Sequence, residues 1–135
     1  MAFPRVDGLR TLELGAQGSD LQRRLNALVL AGAKTATAGL LAEYGREGEH
    51  LESVGEEQIL IDGDGAPIAR IRYTRVETMP FAEVTWEFAQ AEGEGFTDID
   101  DWRAQHRNFW SQVDGVDVGD DEIVACLWFE VLEIR

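Results

Sequence analysis

The sequence predicts an α+β fold, a small β-barrel with helices packed around it. At 135 residues and 44% apolar content, the chain is one domain's worth, with residues 1–135 sharing a single core. Its periodicities run helix, central strands, two helices and a last strand, with neither internal repeats nor the β-α-β alternation of a parallel sheet.

The first helix is expected from about Asp20 to Ala31. Ser19 or Asp20 serves as N-cap, Leu21, Leu25, Leu28 and Val29 recur at helical spacing, and Gly32 stops the run. Lys34 follows two residues later and leads into Thr35-Ala36-Thr37-Ala38, which reads as extended. From Glu43 to Glu57 the chain is rich in Gly and Glu with little periodicity, the pattern of a surface loop. Next comes a hairpin, with Ile59 to Ile61 on one strand, Asp62-Gly63-Asp64-Gly65 as the turn, and Ile68, Ile71, Tyr73 and Val76 on the other. Strand alternation puts Arg70 and Arg72 on one face of that second strand and Ala69, Ile71 and Tyr73 on the other; the arginine pair is either a solvated face or a phosphate contact.

After Pro80, Val84, Phe88 and Ala91 mark a second helix over 81–92, ended by Gly93-Glu94-Gly95, with Glu92 at its C-terminal end. A carboxylate there opposes the helix dipole. Asp98 or Asp100 caps a third helix, whose Trp102, His106, Phe109, Trp110 and Val113 form one apolar stripe. Ile123 to Ile134 is a long final strand with Ala125, Leu127, Phe129 and Val131 on one face, and Cys126 within it reads as a small buried thiol. Asp62-Gly63-Asp64-Gly65 and Gly93-Glu94-Gly95 both lack the strand-Gly-helix context of a nucleotide fingerprint and are treated as turns.

Charge narrows the function classes. With 26 acidic residues against 12 basic, the net charge of -14 repels a polyanion, so duplex DNA is an unlikely partner, whereas a nucleoside or a short single-stranded RNA is compatible. His50 and His106 lie far apart and no Cys or His pair shows ligand spacing, so neither a metal nor another cofactor is expected. Met1 to Arg10 alternates apolar with charged residues, and no stretch approaches the ~20 apolar residues that span a bilayer; a soluble, cytoplasmic protein with no membrane partner is expected.

Eleven of the twelve basic residues are arginine, and Lys34 is the one lysine. Unlike guanidinium, a compact ammonium can change protonation when desolvated, so lysine supports proton chemistry that arginine does not.

At Gly32-Ala33-Lys34-Thr35-Ala36-Thr37 the chain resembles the ASCH (ASC-1 homology) family, whose pattern is Gly-x-Lys-x-x-Glu-x-Arg at the end of the first helix. Gly32 and Lys34 match, while Thr37 stands where the pattern has Glu and Gly39 where it has Arg. Glu43-Tyr44, the Asp62 to Gly65 turn, Pro80-Phe81, Ala91-Glu92-Gly93-Glu94-Gly95 and Trp102-Arg103-x-x-His106 extend the likeness over nearly the whole chain. The resemblance implies a PUA-like barrel that binds RNA. Bacterial N(4)-acetylcytidine amidohydrolases of this family share Lys-x-x-Thr and a catalytic glutamate at the end of the following helix, which implies catalytic roles for Lys34, Thr37 and Glu92; other members are implied to bind or cleave single-stranded RNA.

Amide hydrolysis needs a nucleophile, a group to take its proton and a proton for the departing amine. Thr37, Lys34 and Glu92 supply these types, with Lys34 either a neutral base or a charged oxyanion stabiliser beside Glu92 as base. The purely structural alternative is an ion pair tying the first helix to the second. Thr35, Tyr44, Arg70, Arg72, Trp102 and His106 are the candidate substrate contacts, the aromatic ones for stacking on a base.

Overall fold

The computed structural model describes residues 4–135. Helix α1 spans Asp20–Leu30, and the Ser19 hydroxyl caps it by accepting from the Gln22 N–H at 3.0 Å. Its buried stripe carries Leu25 and Val29, but also Gln22 and Asn26. Past Gly32, at φ +80°, the amides of Ala33 and Lys34 both donate to the Leu28 carbonyl, which turns the chain out of the helix at Lys34.

Strand β1 is Arg5–Val6, β2 Leu9–Leu12, β3 Ala36–Leu40, β4 Glu57–Ile61, β5 Pro67–Pro80 and β6 Ile123–Ile134. They form one mixed sheet in the order β1-β2-β4-β5-β6-β3, in which only the β2–β4 pair is parallel. The α+β class is as predicted, but the sheet is open rather than closed into a barrel. Its edges are the two-residue β1 and the five-residue β3, which do not pair with each other. The sheet instead curves, so that residues of β2, β3, β4, β5 and β6 line a single cavity of about 840 Å³.

Alternation sorts the core onto two faces. On β6, Val124 and Cys126 join Ala36, Leu40, Phe81, Phe88, Trp102 and Trp110; Leu127 and Phe129 join Leu25, Val29, Leu60, Ile71 and Tyr73. As expected, Ala69, Ile71 and Tyr73 point inward from β5, and Ala125, Leu127 and Phe129 share a face of β6. Register shifts between Tyr73 and Arg75 then let the long β5 serve both cores, Val76 packing on one and Met79 on the other. Burial, assisted by the charges of Glu92 and Glu77, pushes the Cys126 thiol up to about 12, the state of a packing residue.

Three segments depart from the sequence reading. Residues 43–57 are ordered: α2 spans Leu41–Glu47, and Tyr44 and Glu52 turn inward. Their burial rests on a polar network rather than an apolar stripe, so periodicity does not reveal it. The second helix is divided, because Val84 is extended (ψ 132°) between a 3₁₀ turn at Phe81–Glu83 and α3 at Trp86–Ala91, which Thr85 caps afresh. In the N-terminal segment, residues 1–3 lie outside the described residues, and from Arg5 onward the chain folds as β1 and β2 around Asp7 and Gly8, both at positive φ. The third helix, α4, spans Ile99–Asp114 with Asp98 as its cap.

Gly93 fixes how α3 meets α1. It has φ +67°, and a Cβ there would stand 2.0 Å from the Ala33 carbonyl oxygen. Gly93→Ala is expected to lose at least ~1–2 kcal/mol from the left-handed backbone alone, with more from the collision, read as a lowered midpoint in urea.

Candidate active site

Lys34, at the junction of α1 and β3, is 2% exposed. Its Nζ donates to Glu92 Oε2 at 3.1 Å and to Glu94 Oε2 at 2.8 Å. Glu92 reaches it as the C-cap of α3, and Glu94 from the Gly93-Glu94-Gly95 turn, whose two glycines have φ +67° and +86°. The backbone pins these pieces together: the Thr35 N–H donates to the Ala91 carbonyl at 2.8 Å, and Arg24 Nη2 donates to the Glu94 carbonyl at 2.6 Å.

Glu92 is itself buried and fully engaged. Trp102 Nε1 donates to its Oε1 at 2.5 Å, and His106 Nε2 stands 3.3 Å from the same oxygen, an ion pair when the ring is charged. A carbonyl only accepts, so His106 Nδ1, 2.9 Å from the Trp102 carbonyl, carries a hydrogen. The imidazole lies on the Trp102 indole with centroids 4.0 Å apart. Burial works to raise the Glu92 carboxyl, but Lys34, His106 and the Trp102 hydrogen bond outweigh it and hold the group down at about 2. Glu94 goes the other way, raised by burial and by the like charge of Glu92 against the pull of Lys34.

Lys34, Thr37, Gly39, Tyr44, Glu92, Glu94 and His106 all line the cavity. Thr37 and Gly39 face it from β3 because Ala36 and Leu40, on the opposite face, are in the core. A Cβ on Gly39 would meet nothing nearer than the Tyr44 hydroxyl, 3.9 Å away, so glycine leaves this wall open where the family pattern has arginine. Behind that wall, Tyr44 donates to Glu52 at 2.6 Å, Gln58 donates to Glu52 at 2.8 Å, and Tyr73 donates to Gln58 at 2.7 Å. Burial and the Glu52 charge raise the Tyr44 phenol far beyond its ordinary value, so it stays a donor. Glu13, Glu43, Glu47 and Asp114 add to an acidic lining.

Not every candidate gathers here. Thr35 is exposed, with its hydroxyl donating to the Ala91 carbonyl. Trp102 is fully buried under His106, so its ring supports Glu92 and has no face open to a base. Arg70 pairs with Glu57 at 2.5 Å and Arg72 with Glu130 at 2.5 Å, both away from the cavity. Arg75 pairs with Glu77 and Glu87 and stacks over Trp128. The sequence reading missed Glu94, whose signal was its place two residues beyond Glu92 in a Gly-flanked turn. It also missed Glu52 and Gln58, whose burial is visible only in the folded chain.

Among the described residues, no group of three or more His, Cys, Asp or Glu side chains is arranged to hold a metal ion, and no helix is long and apolar enough to cross a membrane.

The family model of the ASCH domain matches residues 12–133. The chain belongs to the ASCH domain family. Among solved structures it is similar to a protein of Enterococcus faecalis V583 from family DUF984, at 36% identity and a TM-score of 0.79, over 90% of this chain and 75% of that one. It is also similar to an ASCH domain from Lactobacillus crispatus JV V101, at 31% identity and a TM-score of 0.72, over 84% of this chain and 73% of the other. No functionally curated protein matches it. The PUA-like α+β architecture is therefore that of ASCH domains.

Because Glu92 lies at about 2 in the folded chain against an ordinary 4.5, the folded state holds fewer protons between those values. The stability Glu92 contributes is complete above its ordinary value and lost as pH falls through about 2. Urea unfolding followed from about pH 6 down to about pH 2 should show this loss in the wild type and a shallower one in Glu92→Gln.

Proposed function

We propose that this ASCH protein hydrolyses the amide of an N(4)-acylated cytidine nucleoside, with Thr37 as nucleophile, Lys34 as the cation at the developing oxyanion and Glu92 as the anchor of Lys34. The observation that carries the reading is the desolvated Lys34 ammonium, fixed 3.1 Å and 2.8 Å from two carboxylates at the wall of a cavity that Thr37 also lines. A preorganised charge in such a site costs no reorganisation when negative charge forms on the acyl oxygen, and one donor of this kind is worth about 10²–10³ in rate.

Two further features support a small neutral substrate. Ligand pockets commonly span ~300–1,000 Å³, and the cavity of about 840 Å³ lies within that range. Its carboxylate lining disfavours a phosphate backbone. A single-stranded RNA ligand, bound or cleaved, is the alternative that the family resemblance raises. It would need arginines free to meet phosphates, and Arg70, Arg72 and Arg75 are already held by Glu57, Glu130, Glu77 and Glu87.

Lysine and arginine are not equivalent here. A guanidinium is larger and planar, and Lys34 and Glu92 are each only 2% exposed, which leaves little room for it between the two carboxylates. Incubation with N(4)-acetylcytidine, followed by liquid chromatography, is expected to release cytidine with wild type. Lys34→Arg, Lys34→Ala and Thr37→Ala should each slow that release by about 100-fold or more. Intact substrate at high enzyme concentration would overturn the amidase reading and make titration with single-stranded RNA the next measurement.

A further inference from the structure

The proposed hydrolysis leaves one role unfilled. Thr37 must lose a proton to attack, and the cytosine N4 must gain one to leave. Glu92 is badly placed for either transfer: Trp102 and His106 occupy one oxygen and Lys34 the other. We infer that Glu94, carried at 2.8 Å from Lys34 on the Gly93-Glu94-Gly95 turn, is the proton-transfer residue of this site, an inference that rests on the amidase reading.

The geometry favours Glu94 in three ways. It lines the same cavity as Thr37, and its partner of opposite charge is Lys34, whereas Glu92 is clamped by three residues. Its backbone is fixed even though its side chain is less confined. Gly93 is wedged against the Ala33 carbonyl, where no Cβ fits, and Arg24 from α1 holds the Glu94 carbonyl. Finally, the two carboxylates share one cation but meet opposite surroundings. Such pairs divide into a member held charged and one that exchanges a proton. The groups facing Glu94 are Lys34, Glu92 behind it, and His106 of α4 across Glu92. Its raised carboxyl, due to burial and the Glu92 charge, matches the exchanging role.

The chemistry balances with that single shuttle. Ionised Glu94 takes the hydroxyl proton of Thr37 as its Oγ bonds to the acyl carbon, and the oxygen that becomes negative faces Lys34. Protonated Glu94 then gives the proton to N4, the C–N bond breaks, and cytidine leaves behind an ester on Thr37. Water attacks that ester while giving a proton to Glu94, the carboxylic acid is released, and the proton returns to Thr37 Oγ.

The test compares wild type, Glu94→Gln and Glu94→Asp on N(4)-acetylcytidine across pH 5–9 and on p-nitrophenyl acetate, whose leaving group needs no proton. Glu94→Gln is expected to lose about 100-fold or more in kcat on the amide with KM little changed, and to lose the pH dependence that wild type shows. It should keep a larger share of its ester activity, which also reports a folded site, and Glu94→Asp should recover part of the amide activity. Wild type that cleaves the amide alongside an equally active Glu94→Gln, or a Glu94→Gln that keeps the wild-type pH profile, overturns the role of Glu94 and leaves the amidase reading standing. Wild type that cleaves no amide overturns both.

Discussion

Lys34 and Glu92 are each 2% exposed, so two charges have been withdrawn from water at a point where helix, strand and turn converge. Moving either ion alone into such a place costs several kcal/mol, and their mutual attraction repays this only with good geometry and further hydrogen bonds. Much of the surrounding structure supplies those bonds. Trp102 and His106 from α4 reach Glu92, Glu94 adds a second anion to Lys34, and the Thr35 and Arg24 contacts hold α1, α3 and β3 in register. A hydrophobic pair of similar volume would join these elements with less desolvation cost, so the arrangement is better explained by chemistry at the cavity than by stability.

The same constraint accounts for the local departures from simple patterns. Gly93 has to be glycine because the turn carrying Glu94 passes against the Ala33 carbonyl. Glu92, opposing the dipole at the end of a short helix, is compensated by Lys34 rather than by water. The open sheet belongs to this picture too: β3 is an edge strand, and its Thr37 and Gly39 line a compartment flanked by carboxylates.

Carboxylates dominate the charged lining of this compartment. The cations lining it are few: Lys34 gives two of its three N–H donors to carboxylates, and Arg24 donates to a backbone carbonyl. A ligand entering it meets mainly acceptors and apolar walls such as Phe96, Phe109 and Val113. Under the amidase proposal, such a lining matches a flat, neutral heterocycle with donor groups.

The sequence by itself determined whatever depends on neighbours along the chain. Helix α1 with its Ser19 cap, the Asp62 to Gly65 hairpin, the inward set Ala69, Ile71 and Tyr73, and α4 all follow from periods of 3.6 and 2 and from cap and turn residues. The singular lysine and its helix-to-strand junction were legible for the same reason. Strand β2, by contrast, is held in the sheet by parallel pairing with β4, some fifty residues on, and no local pattern encodes that. The tertiary structure alone decided that Glu94 joins Glu92 at Lys34, that Trp102 supports the site from below, that Arg70 and Arg72 are spent in cross-strand ion pairs, and that Tyr44 and Glu52 turn inward. Each of these depends on which distant charge or donor pays the desolvation of a polar group, and that partner is chosen by the packing of elements, not by spacing along the chain.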